Sequence, residues 1–244
     1  MKLLLENWRQ YLNENNPLDK AVGKGLGVHL SMQKDHGIVV VYDAKKILDS
    51  IEFWKKYEPS NLAEPTRIMD ILDGYAIIDV VAGVRFAKPY WDKGACNNAL
   101  EVTNSASKEN SKLGPTAYEA AMYYVDGLTP DRMIVKPSAA KVWSIYSKRA
   151  DSENIEKEPF DDLKLHPDQK KTPNDTSDDC ELHKDRDPLN YSYNIESKPS
   201  GLQELEDNHA KVLAVMAQLG VRERTILNSL EGLFNHLFMS RYNR

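Results

Sequence analysis

The sequence is poor in cysteine, with Cys96 and Cys180 the only two among its 244 residues. They lie far apart in dissimilar, polar surroundings, which provides neither a disulfide framework nor a Cys-x-x-Cys metal knuckle. We therefore expect free thiols. The polar run from 175 to 183 is acidic, but it has neither the central glycine of a calcium loop nor the His and Cys spacing of a zinc site, so we expect no metal.

Long hydrophobic runs are also absent. No stretch approaches the roughly 18 apolar residues that a membrane-spanning helix needs, and no signal peptide is visible. We therefore expect no membrane partner and a place in the cytoplasm of whichever cell makes the protein. Positive charge is scarce, because 32 Lys and Arg stand against 37 Asp and Glu. Nucleic acid is consequently the least favoured partner, since nonspecific binding relies on clustered basic residues.

Apolar periodicity dominates the first 150 residues. The ranges 23–32 and 37–42 are typical of strands, and Asp43 is a candidate N-cap for a helix over 44–57. The range 75–86 predicts a bent strand, or a hairpin broken at Ala82-Gly83. This alternation predicts an α+β (α/β-like) fold with a central mixed sheet.

The character of the chain changes after residue 150, where prolines recur and periodicity disappears. We interpret 151–199 as an acidic polar insert or linker, with a short strand over 189–195 that returns to the sheet. The range 200–244 predicts a helical hairpin with Gly220 at the end of its first helix. The predicted division is thus an N-terminal helix over 1–17, an α/β domain over 18–150, the insert and the hairpin.

A candidate chemistry is confined to residues 98–149. The range 98–103 alternates like a strand, a polar run follows to Lys112, and Gly114-Pro115-Thr116 opens a helix that we expect to be amphipathic over 117–125. Proline suits the first helical position, and a helix N-terminus directs unpaired N–H groups at an anion. The pattern indicates a phosphate-binding turn to which Lys112 adds a charge.

This block resembles the GNAT-type N-acyltransferases, and more closely a set of GNAT-like proteins carried by tailed phages. The family's turn, Gln/Arg-x-x-Gly-x-Gly/Ala, falls on 109–114, where only its last glycine is kept, as Gly114. Met133-Ile134-Val135 is similar to the family's fifth strand. Lys136–Trp143 is similar to its Asn-x-x-Ala-x-x-Leu-Tyr helix, with Ala139 in register.

The resemblance implies a GNAT-like sheet and an acyl-CoA-dependent transfer of an acetyl or acyl group to an unknown amine acceptor. Trp143 stands where the family often has the tyrosine that protonates the departing thiolate, so the acid assigned is Tyr146, with Tyr118 as second choice; the candidate base is Glu101. The residues expected to hold acetyl-CoA or another acyl-CoA are Val102, Thr103, Lys112, Leu113, Gly114, Thr116 and Ala117.

The departures at Lys112 and Trp143 leave open a second class, a catalytically inactive GNAT-like internal virion or host-interaction protein. Residues 2–14 predict an amphipathic helix, interpreted either as a docking helix or as a capsid-targeting segment similar to those of T4-like phages. Leu12-Asn13-Glu14 resembles the site after which a prohead protease cleaves. The implied partners are then that protease and head proteins, the place is the infected host cell or the virion head, and a homodimer stays open.

Overall fold

A computed structural model describes residues 17–89, 99–125, 127–131, 135–150, 155–159, 189 and 191–242. Within these residues lie seven strands and six α-helices. The strands are β1 (Leu26–Gln33), β2 (His36–Asp43), β3 (Val80–Ala87), β4 (Leu100–Ser107), β5 (Leu128–Thr129), β6 (Glu156–Pro159) and β7 (Tyr191–Asn194). The helices are α1 (Ala44–Tyr57), α2 (Pro65–Gly74), α3 (Gly114–Tyr124), α4 (Pro137–Ala150), α5 (Ser200–Gln218) and α6 (Glu223–Tyr242). Two 3₁₀ turns, Asp19–Ala21 and Pro59–Leu62, complete the described elements.

The strands form one mixed sheet in the order β1-β2-β3-β4-β5-β7-β6. Neighbours from β1 to β4 are antiparallel, β4 and β5 are parallel, and β7 is antiparallel to both β5 and β6. Parallel neighbours need a crossover connection, and α3 lies in the one between β4 and β5. The predicted mixed sheet with flanking helices is confirmed.

Side chains alternate between the two faces of the sheet along each strand, and β2 contributes to a buried core on each face. On β2, Val39 and Val41 join a core with α3 and α4, whereas Ile38, Val40 and Tyr42 join a second core with α1, α2 and α6. We name these sides the α3 face and the α6 face. Helix α5 contributes to both cores and runs alongside edge strand β1.

Two local signals in the sequence act as predicted. The Asp43 carboxylate accepts a hydrogen bond from the Lys46 amide at 2.9 Å and caps α1, which spans the predicted residues. Gly220 follows α5 with φ of 75°. The amides of Gly220 and Val221 donate to the carbonyls of Ala217 and Met216, which is the hydrogen-bond pattern of a Schellman motif.

Of the two alternatives predicted over 75–86, the strand is confirmed from Val80 onward, whereas the hairpin broken at Ala82-Gly83 is wrong. Helix α2 occupies residues up to Gly74, β3 runs unbroken from Val80 to Ala87, and Gly83 lies inside this strand. The physical reason is packing, because a Cβ at Gly83 would lie 2.6 Å from Cε2 of Phe234 on α6. Glycine is needed here for close approach of a helix and not for a turn.

Three further elements differ from the sequence prediction. The strand predicted over 98–103 continues to Ser107, because its polar residues pair with β3. Helix α3 begins at Gly114 as predicted, but it is buried from Pro115 to Met122, so it lacks the amphipathic character that we predicted. The fifth strand is Leu128–Thr129, and the predicted residues 133 and 134 lie outside the described part.

The returning strand predicted over 189–195 is confirmed as β7, and it pairs with β6, which the composition alone had assigned to the insert. Both predicted C-terminal helices are present as α5 and α6. Residues 2–14, with the candidate cleavage site at Glu14, and the acidic cluster over 175–183 lie outside the described residues. Among the helices that the structure describes, none is long and apolar enough to cross a membrane.

Candidate functional site

Strands β4 and β5 part almost as soon as they meet. Their register pairs Leu100 with Leu128 and Glu101 with Thr129. Beyond Glu101, β4 continues for Val102–Ser107 while pairing only with β3 among the described residues. Backbone N–H and C=O groups are obligatory hydrogen-bonding groups, so the side of β4 that faces away from β3 offers an edge to an extended ligand.

The predicted phosphate-binding turn leads from β4 to α3. Asn110 and Lys112 both have left-handed backbones, with φ of 60° and 57°. Helix α3 then begins with no side-chain cap, and Pro115 occupies its first turn. Uncapped N–H groups of a first turn, preceded by a tight turn, form the kind of concavity that binds anions.

Fewer of the predicted acyl-CoA-binding residues in this turn are accessible to a ligand than we expected. Lys112 is exposed and Gly114 is half-buried, whereas Leu113, Thr116 and Ala117 are buried. The Thr116 hydroxyl donates to the Pro17 carbonyl oxygen at 3.2 Å, so Thr116 already has a protein partner. Any anion at this turn would therefore meet Lys112 and Gly114 first.

A buried ion pair lies behind the first turns of α3. The Glu119 carboxylate is fully buried, binds the Arg149 guanidinium of α4 and accepts a hydrogen bond from the Leu18 amide at 3.3 Å. The pair therefore joins α3, α4 and the segment before β1. Burying two charges is costly unless both are paired, so this contact fixes the relative positions of the three segments.

The two candidate acids belong to a buried aromatic cluster. The Tyr146 hydroxyl donates to the Pro115 carbonyl oxygen at 3.4 Å, and the Tyr118 hydroxyl donates to Ser105 Oγ at 2.9 Å. Trp143 lies edge-on to Tyr118 and stacks on Tyr193, with ring centroids 5.6 and 5.3 Å apart. Burial raises the pKa of the Tyr118 phenol, which keeps it protonated. The structure thus places the Tyr146 hydroxyl at the first turn of α3 and the Tyr118 hydroxyl at the end of β4 that leads into the turn.

The other predicted residues lie at the opposite end of β4. Glu101 is half-buried and pairs with Ala87 and Thr129, Val102 packs on the α3 face, and the Thr103 hydroxyl donates to the Arg85 carbonyl oxygen at 3.3 Å. Ser105 is four residues further along the strand, roughly 13 Å from Glu101 at the rise of an extended chain. The candidate base therefore lies at least roughly 13 Å along β4 from the end of the strand that leads into the turn.

A second polar cluster on the α6 face was not predicted. His29 is buried, its ring centroid is 5.4 Å from that of His209, and His209 Nδ1 is 2.7 Å from the Tyr42 hydroxyl oxygen. His29 Nε2 lies 3.6 Å from Glu231 Oε1. No local motif links these residues, and the sequence offered only the inward-facing register of His29 within β1 as a signal.

Within the described ranges, no group of three or more His, Cys, Asp or Glu side chains is arranged to hold a metal ion. Comparisons with protein-family models, curated proteins and solved structures found no match to this chain. The fold and site define the chain as a mixed α/β protein in which a parallel strand pair separates at one end of β4 and an uncapped helix N-terminus follows the other end.

Proposed function

We propose that the protein is a GNAT-like, acyl-CoA-dependent N-acyltransferase. The observation that carries the proposal is the end of β4–β5 pairing after Glu101, together with the uncapped start of α3 that follows the other end of β4. An extended pantetheine arm would pair with the edge of β4 at Val102 and Thr103 that has no strand partner among the described residues. The pyrophosphate would then lie at Lys112 and Gly114, where a charge and first-turn N–H groups meet.

The distance between the turn at Lys112 and the Glu101 end of β4 also supports acyl-CoA as the ligand. A pyrophosphate at the turn places the thioester one pantetheine arm away, toward the Glu101 end of β4. There the acceptor amine attacks the thioester carbon, a C–N bond forms and the C–S bond breaks. Glu101 would take the amine proton. Tyr146, the acid that the resemblance assigns, lies instead at the turn with its hydroxyl on the Pro115 carbonyl oxygen, so the departing thiolate would take its proton from solvent.

A second function is favoured by the burial of these groups. Tyr146 is fully buried with its hydroxyl directed at a backbone carbonyl, and Thr116 is bound to the Pro17 carbonyl. These contacts suit a catalytically inactive GNAT-like protein, serving inside a virion or in a host interaction. In that case the predicted cleavage after Glu14 becomes the main biochemical event.

Binding of acetyl-CoA to the native protein is the decisive test. A ligand present at about 100 times its Kd stabilises a protein by about 2.7 kcal/mol, which raises the Tm of a chain of this size by about 5–10 °C. Lys112→Glu should reduce the shift strongly, because it places a negative charge at the turn. Lys211→Glu is the matched control, since Lys211 is exposed on α5 away from the turn.

No shift of the native protein at millimolar acetyl-CoA would refute the acyltransferase proposal and favour the inactive alternative. Mass spectrometry of the protein incubated with a prohead protease would then show whether cleavage follows Glu14. If acetyl-CoA binds, release of free CoA with a panel of amines tests catalysis. Glu101→Gln should lower kcat by about 10²-fold or more while acyl-CoA binding is retained.

A further inference from the structure

A polar cleft of about 260 Å³ opens on the α6 face, beside the end of the β1–β2 hairpin. Ser31, Gln33 and His36 come from the hairpin, Arg85 from β3 and Glu231 from α6. Sites for drug-sized ligands measure roughly 300–1,000 Å³. This cleft is therefore suited to a smaller molecule, of the size of an amino acid.

The cleft is lined by one positively and one negatively charged side chain that form no ion pair with each other. Arg85 and Glu231 both line it, yet no ion pair within 4.0 Å joins them in the part of the chain that the structure describes. One Arg85 nitrogen donates to Asn235 Oδ1 at 2.8 Å, which holds the guanidinium in place. A guanidinium carries five N–H donors, so this bond leaves most of them for other acceptors.

The Glu231 carboxylate has one charged or chargeable neighbour within 4.0 Å among the described residues, His29. Its side chain is 33% exposed, and His29 Nε2 lies 3.6 Å away with no hydrogen-bond partner among the described residues. Burial lowers the pKa of His29, against the opposing effects of Glu231 and Glu223. A neutral His29 leaves Glu231 without a cationic partner within 4.0 Å among the residues that the structure describes.

We propose that this cleft binds a small zwitterion, whose ammonium group contacts Glu231 and whose carboxylate contacts Arg85. Charge-assisted hydrogen bonds of this kind are about twice as strong as neutral ones, and guanidinium and carboxylate match in geometry. Ser31 and Gln33 supply further polar groups to the same ligand. A ligand with one charge would leave the other protein charge unmatched, so zwitterions are selected over singly charged molecules.

The cleft lies on the sheet face shared with Glu101. Phe86 and Val102 are paired and both face the α3 core, so their chain neighbours Arg85 and Glu101 face the other way. The zwitterion is therefore placed on the side of the candidate base. Its use as the acyl acceptor rests on the proposed function, whereas its binding does not.

Calorimetric titration of the full chain without acyl-CoA tests the proposal. The probes are glycine, β-alanine and 4-aminobutyrate, which differ in the spacing of their charges, with methylammonium and acetate as singly charged references. We expect at least one zwitterion to bind more tightly than both references. Arg85→Gln and Glu231→Gln should each raise its Kd about tenfold or more, the expected loss of one hydrogen bond to a charged group.

Arg67→Gln is the matched control, because Arg67 is exposed and likewise donates to an asparagine side chain, that of Asn61 at 3.0 Å. It should leave the Kd unchanged. Absence of binding by all three zwitterions, or equal affinity for a singly charged reference, would overturn the proposal. If acetyl-CoA fails to bind while a zwitterion still binds, the acyltransferase proposal is refuted and the proposal of a zwitterion site in the cleft is supported.

Discussion

His209 shows how burial sets the charge of a single residue. Its Nδ1 atom lies 2.7 Å from the hydroxyl oxygen of Tyr42, which is fully buried. Burial, with a smaller effect of His29, lowers the pKa of His209 from 6.5 to about 4. Burial also raises the pKa of Tyr42, so both partners are neutral near pH 7. Protonation of His209 would place a cation beside His29 in a largely apolar layer.

This shift predicts a pH dependence of stability. The unfolded chain binds a proton at His209 near pH 6.5, whereas the folded protein does so only near pH 4. The associated stability is complete above pH 6.5 and is lost as the pH falls from 6.5 toward 4. After allowance for partial exposure, we expect a loss of about 1–2 kcal/mol, measured by urea unfolding.

His209→Gln should flatten this part of the pH profile, while His236→Gln, at an exposed position of α6, should not. The other ionisable residues are the same in all three proteins apart from the substituted histidine, so the informative quantity is the difference between each variant and the native chain. Equal slopes for the native and His209→Gln proteins would show that His209 is not the group responsible.

At the scale of elements, the docking of α6 onto β3 depends on the absence of a side chain. A Cβ at Gly83 would lie 2.6 Å from Cε2 of Phe234 and 3.0 Å from the Val39 carbonyl oxygen. Phe234 is buried, so its ring has little freedom to move away. The helix and strand therefore fit at this distance only because residue 83 is glycine.

Gly83→Val should destabilise the protein by about 1–3 kcal/mol through overpacking, measured by chemical unfolding. Phe234→Leu in the same chain should recover part of this loss, because it removes ring atoms from the contact. Gly232→Ala is the control on α6, since a Cβ there meets nothing within 4 Å. It should stabilise the helix by about 0.5–1 kcal/mol. A strictly additive double variant would contradict the packing explanation.

At the scale of the whole molecule, the last two helices are part of the core. Leu202 and Leu205 of α5 pack in the α3-face core, while Val212 of α5 and Phe234 of α6 pack in the other. The Asn208 side-chain amide also donates to the Leu26 carbonyl oxygen of edge strand β1 at 3.0 Å. Helix α6 therefore covers the α6 face of the sheet, and α5 packs alongside edge strand β1.

A chain ending at Lys198 should consequently lose cooperative folding. It would expose the inner side chains of β2 on the α6 face, and exposed apolar sheet surface promotes aggregation. Thermal melting followed by near-ultraviolet circular dichroism measures this, with a chain ending at Tyr242 as control. A sharp transition in the shorter chain would show that the sheet folds independently of α5 and α6.

Local signals predicted much of the element list. The Asp43 cap, the strands on either side of the β1–β2 turn, the strand β7 and the helix end at Gly220 were each predictable from a few neighbouring residues. The error at Gly83 arose because a glycine for close packing and a glycine for a turn are identical in sequence. Helix α2 was missed because Pro65, which occupies its first turn, also suits a loop.

The sequence by itself determined the alternation of strands and helices, the caps and the block that leads from β4 to α4, because these depend on residues close together in the chain. Tertiary structure alone decided three other features: the end of β4–β5 pairing after Glu101, the hydrogen bond of Thr116 to Pro17 and the placement of Arg85 and Glu231 on the wall of one cleft. Each depends on which distant segments pack together. Periodicity specifies which side of an element is buried, but not which element covers it.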